Sequence, residues 1–141
     1  MRVFQMMILA LLLSAFGACN NANDDNSPSD APPVVAGDDS AWRVSYYFDK
    51  DKEETSDFAG YRFTFRDDGT LEAVRNGTTV TGTWATTRDD GRQRLMINTG
   101  TASRPLESLT DDWVIIEQNA SRIRLQDDND EHLEELHFEK I

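Results

Sequence analysis

The sequence predicts an all-β domain of about eight antiparallel strands, running as a meander and closing into a barrel. Three observations predict it. From Trp42 onward apolar residues recur with a period of two, which puts one strand face inward and the other outward. Turn signals rich in Gly, Asn and Asp separate these runs at short intervals, as hairpin connections require. An open meander of this length would expose two long edges to aggregation, and closure removes them. A two-sheet sandwich fits the same pattern and stays open at this point.

The chain has 141 residues and a single cysteine, which bounds it to one compact domain plus extensions. Residues 1–18 read as a signal peptide. Arg2 supplies the positive start, and Met6 to Leu13 is an unbroken apolar run, too short to span a bilayer. The small residues Gly17 and Ala18 precede Cys19, so F-G-A-C resembles the lipobox of bacterial lipoproteins, with Phe16 where Leu is usual. Cys19 is the expected lipid-attachment residue. As the sole cysteine it can form no intramolecular disulfide, and each buried methylene adds about 0.8 kcal/mol of membrane affinity. The expected partner is therefore a membrane, reached through a covalent palmitate-type anchor.

Residues 19–40 form the lipidated cysteine and an acidic tether. Asn20 to Ser40 has no aromatic residue and no Lys or Arg, and it holds several Asp, Pro, Ser and Asn. It has too little apolar surface to offset the entropy of ordering and reads as a spacer. Asp24 and Asp25 resemble the acidic surface-export signals of some Gram-negative lipoproteins, which implies the outer membrane, at its periplasmic face or the cell surface.

Residues 41–141 are the barrel domain. Trp42, Val44, Tyr46 and Phe48 alternate with Arg43, Ser45 and Tyr47. Tyr61, Phe63 and Phe65 alternate with Arg62, Thr64 and Arg66, and Ile123 and Leu125 with Arg122 and Arg124. Strands are expected at roughly 42–48, 60–66, 70–75, 78–87, 92–98, 112–118, 121–126 and 132–140. Asp67-Asp68-Gly69, Asn76-Gly77, Asp89-Asp90-Gly91, Asn119-Ala120-Ser121 and Asp127 to Asp130 supply the turns. Asp49 to Ala59 reads as a charged loop. Thr99 to Asp111 holds Pro105, Leu106 and Leu109 at a spacing suited to one helical turn closing a barrel end.

The segments Asp57 to Thr70, V-T-G-T-W (Val80 to Trp84), Leu109 to Ile115 and the closing L-H-F-E-K-I resemble the small lipocalin-like lipoproteins of Gram-negative bacteria. The resemblance covers nearly all of residues 41–141 and implies a calycin-type barrel with a ligand of unassigned identity. Lipocalins carry Gly-x-Trp on the first strand. Here Ser40-Ala41-Trp42 keeps the tryptophan without the glycine, and the second G-T-W lies at Gly82 to Trp84.

Charge and motif content narrow the function. There are 26 Asp and Glu against 14 Lys and Arg, a net charge of −12, which repels nucleic-acid phosphates. His132 and His137 stand at odd spacing on one expected strand, on opposite faces, and should not share a metal. Asp127, Asn129 and Glu131 start like a calcium loop, but His132 and Phe138 occupy the positions of its glycine and bidentate glutamate. Glu134 and Glu135, adjacent on a strand, face apart and read as surface charge. No nucleophile elbow, zinc-protease or P-loop pattern occurs. The expectation is a non-enzyme with no cofactor and no metal. The remaining chemistry is aromatic. Trp42, Tyr61, Phe63, Trp84 and Trp113 either wall a cavity for a small apolar molecule or fill the interior of a protein-interaction or structural module.

Overall fold

The computed structural model describes residues 39–129 and 131–141. The signal peptide, Cys19, Asp24, Asp25 and the tether through residue 38 lie outside the described residues, as does Asp130 of the acidic turn. The strands are β1 (Ala41–Asp49), β2 (Lys52–Glu53), β3 (Arg62–Phe65), β4 (Thr70–Arg75), β5 (Thr78–Asp89), β6 (Arg92–Asn98), β7 (Asp111–Gln118), β8 (Arg122–Gln126) and β9 (Glu134–Lys140). There is no α-helix among the described residues. Two 3-10 turns, Thr55–Phe58 and Leu106–Leu109, complete the elements.

Neighbouring strands pair antiparallel in the order β2-β1-β3-β4-β5-β6-β7-β8-β9, and β1 also pairs with β9. Eight strands therefore close into a lipocalin-like barrel, and β2 is a short addition on the end of β1. The sandwich alternative falls with that closure. Turn chemistry drives the meander. Asn76 and Gly77 both take positive φ (52° and 79°), as do Asp90 and Gly91 (48° and 75°), the geometry of tight two-residue hairpins. Gly82 on β5 has a different reason. A Cβ there would lie 2.0 Å from the Asn98 carbonyl oxygen, so only glycine lets the chain leaving β6 pass so close.

The alternation read from β1 is overturned in its second half. Val44 pairs with Phe138 but Tyr46 pairs with His137, so Ser45 is an extra, bulged residue. A bulge flips the phase of everything after it. Trp42 and Val44 point inward, and then Tyr47, not Tyr46 or Phe48, is buried. Tyr46 and Phe48 lie parallel on the outer face (ring centroids 6.5 Å apart), with His137 against Tyr46 at 4.9 Å. A second bulge at Ile116 leaves that side chain exposed.

The interior is apolar and closely filled. Trp42, Phe63, Phe65, Leu71, Leu95, Leu109, Trp113, Ile123, Leu125, Leu136 and Phe138 are essentially inaccessible. Burial of this kind stabilises by about 1.5–3 kcal/mol per large side chain. One end of the barrel carries the start of β1 and the tight connections 66–69, 90–91 and 119–121. The other end, the mouth, carries 50–61, 76–77, 99–110 and 127–133. The 3-10 turn Leu106–Leu109 sits where a single helical turn is expected. It buries Leu106 and Leu109, and the Trp113 indole N–H donates to the Leu109 carbonyl at 3.0 Å. The turn Thr55–Phe58 buries Phe58 edge-on against Tyr47, with centroids 5.2 Å apart.

Candidate functional site

Of the five residues expected to wall a ligand cavity, three belong to the core cluster and two pack against it. Trp42, Phe63 and Trp113 are fully buried, whereas Tyr61 and Trp84 are half-buried near the two ends. A continuous series of ring contacts joins the ends: Tyr61–Phe63 (5.9 Å), Phe63–Phe138 (5.4 Å), Phe138–Phe65 (5.4 Å) and Phe65–Trp84 (5.8 Å). Three of these contacts are edge-to-face, the preferred aromatic geometry. Trp84 is further fixed by its indole N–H, which donates to the Arg66 carbonyl at 2.8 Å. Its strand segment, with Thr83, Ala85, Met96 and Ile97, borders a cleft of about 420 Å³.

The polar chemistry converges on the mouth. Four carboxylates there sit two residues along the chain from buried apolar positions: Asp49 from Tyr47, Asp111 from Trp113, Asp127 from Leu125 and Glu134 from Leu136. A two-residue step keeps a side chain on the same sheet face, so all four are carried towards the inner side of the mouth. Asp49 and Glu134 are direct cross-strand partners, and the Asp127 amide donates to the Glu134 carbonyl at 3.0 Å. Asp111, Asp127 and Glu134 bring carboxylate oxygens within 4.8 Å of one another. They are the residues that could close on a cation; Asp127 is expected only in a calcium-like turn and Glu134 only beside Glu135, and Asp111 joins them through the fold. Glu134 is thus not the plain surface charge expected of it. The signal was present as phase, but carboxylates at strand ends read as turn chemistry.

Crowding shows in the ionisation of this group. Burial, and then the nearby Asp49, Asp127 and Asp111, push the Glu134 carboxyl above the usual carboxylate range. Burial likewise raises Asp111, with Asp127 and Asp112 adding to the shift. One Asp49 carboxylate oxygen is buried with no hydrogen-bond partner. The Tyr47 phenol is pushed up to about 12, by burial first and then by Asp49 and Glu134, so it keeps its proton at any physiological pH.

The position of Asp127 is set from outside the barrel. Arg94, on the outer face of β6, is almost wholly buried, and Asp128 of the β8–β9 connection reaches it. Its guanidinium donates to the Asp128 carboxylate and, at 3.3 Å, to Asp112, while Arg92 reaches Asp128 at 3.3 Å. Charge-assisted bonds of this kind hold the connection against the wall.

The second part of the mouth is a cleft of about 310 Å³ lined by Tyr47, Glu54, Asp57, Phe58, Arg75, Arg104, Pro105 and Ser108. Lys52 holds Glu54 at 2.6 Å, and the Tyr47 hydroxyl makes a long 3.4 Å contact with the Ser108 carbonyl. Arg75 lies over the Tyr61 ring at 4.1 Å, and its Nη1 donates to the Asp57 carbonyl at 3.4 Å.

The two histidines do not share a strand. His132 is exposed in the connection before β9, and His137 is on the outer face of β9, where burial and Arg124 lower its pKa. Comparison with known proteins adds no family to this geometry: no family model matches the chain, and no curated protein or solved structure matches it.

Proposed function

We propose that this chain is a lipocalin-like lipoprotein of the Gram-negative outer membrane, held through Cys19. On this reading its barrel is a non-catalytic binding module that works through its mouth and outer surface. The anchor is supported by sequence: a short apolar run, Gly17-Ala18 and a lone cysteine ahead of an acidic spacer. The working surface is supported by one structural observation, the unbroken series of rings from Tyr61 to Trp84 that occupies the interior a carrier would leave open.

Two measurements test the reading. Cys19→Ala should abolish incorporation of labelled palmitate and release the protein from membranes. Retained label with full membrane partition would overturn the anchor. Titration with a fatty acid or an isoprenoid should leave tryptophan emission and melting temperature unchanged. A second reading, carriage of a small apolar molecule, is favoured by the cleft beside Trp84 and Met96. It predicts a shift in emission that Trp84→Phe removes.

A further inference from the structure

We propose that the mouth cleft between Arg75 and Arg104 binds a small organic anion, one with a carboxylate or phosphate head on a short apolar or aromatic body. The inference deepens the reading of the mouth as the working end of the barrel.

Charge pairing carries it. Arg43, Arg66, Arg92, Arg94, Arg122 and Arg124 each lie within ion-pair distance of at least one carboxylate. That is the expected state in a chain with 26 acids and 14 bases. Besides Arg62, Arg75 and Arg104 depart from this state. Among the described residues neither has a carboxylate within 4.0 Å, yet both line the same cleft. The walls also carry two carboxylates: Glu54, which Lys52 already binds and which Arg104 also stabilises, and the exposed Asp57.

The surroundings suit the rest of such a ligand. Tyr47 and Phe58, packed edge to face, make an aromatic floor with Pro105 beside it. The Tyr47 hydroxyl, only weakly engaged by the Ser108 carbonyl, remains protonated and able to donate to an anion. Guanidinium groups match the two oxygens of a carboxylate or phosphate in a planar fork, which a lysine cannot do. A volume of about 310 Å³ limits the occupant to a small molecule.

The test uses the full-length chain in non-ionic detergent, titrated with benzoate and with phenyl phosphate and followed by calorimetry. Benzyl alcohol and benzylamine are the neutral and cationic controls. Saturable binding of either anion, absent for both controls, is expected, and the preferred anion identifies the head group. Arg104→Gln removes an exposed side chain with no structural bond and should weaken binding about tenfold at an unchanged melting temperature. Arg75→Gln should do the same, and Arg43→Gln on the outer wall should not. No saturable anion binding, equal binding of benzyl alcohol, or an Arg104→Gln protein that binds as before would overturn the proposal. Such a failure leaves the anchor and the filled interior standing, since membrane partition and apolar probes read those separately.

Discussion

The aromatic interior and the charged mouth are built on the same strands, often only two residues apart. On β1 the step is from Tyr47 to Asp49, on β7 from Trp113 to Asp111, and on β9 from Leu136 to Glu134. In the interior the large side chains meet other apolar surfaces, with the Trp42 indole N–H as one buried donor left without a partner. At the mouth, like charges are brought together, one carboxylate oxygen is left without a partner, and two arginines of one cleft have no carboxylate within 4.0 Å among the described residues. The first region holds the fold together. The second costs stability, and a cost of that kind points to recognition.

The largest expected effect breaks the interior. Trp113→Ala should lower stability by about 3–5 kcal/mol, read from the urea midpoint, because it removes a fully buried indole and its bond to Leu109. Trp84→Ala should cost less, about 2–3 kcal/mol, since that ring already meets solvent on one side. Equal losses would mean that the two rings occupy equivalent environments.

A smaller effect of opposite sign should come from the mouth. Glu134 and Asp111 have raised pKa values in the folded state, so the folded protein binds their protons more readily than the unfolded chain. Their charged forms destabilise the fold fully at pH above the folded values. The penalty is relieved as pH falls through those values towards the unfolded ones. Glu134→Gln should therefore raise stability at pH 7 by about 0.5–1 kcal/mol, a figure reduced for partial screening by solvent, and should shrink the gain on mild acidification. His137 works the other way. Its lowered pKa removes stability as pH falls below the usual histidine value, so the comparison is made between wild type and the Glu134 variant at each pH.

The smallest effect belongs to the outer wall. Arg43→Ala breaks an exposed 2.9 Å pair with Glu139 and should change stability by no more than about 0.5 kcal/mol. A loss of several kcal/mol would show that the outer charges add substantially to the backbone ladder that joins β1 to β9.

Period-two alternation and turn chemistry made the strand plan legible in advance. β4 and β6 match the expected segments to the residue, and most of the others differ by one or two at their ends. β3 is shorter than expected because the Tyr61 amide bonds back to the Phe58 carbonyl and Gly60 takes a φ of 82°, so the turn consumes the first two positions. Trp42, Phe63 and Trp113 could be assigned to the interior from phase alone. Tyr46 and Phe48 could not be assigned correctly, because aromatic residues occupy both phases after Val44 and a local pattern has no means of choosing between them. Pairing of β1 with β9 makes the choice, through the extra residue at Ser45. The mouth has the same origin. Each of its carboxylates is an ordinary strand-end residue in its own segment, and only closure of the barrel brings β1, β7, β8 and β9 to a common end. Local propensity and patterning depend on neighbours in sequence. The convergence of charges depends on contacts between distant strands, and those exist only once the chain has folded.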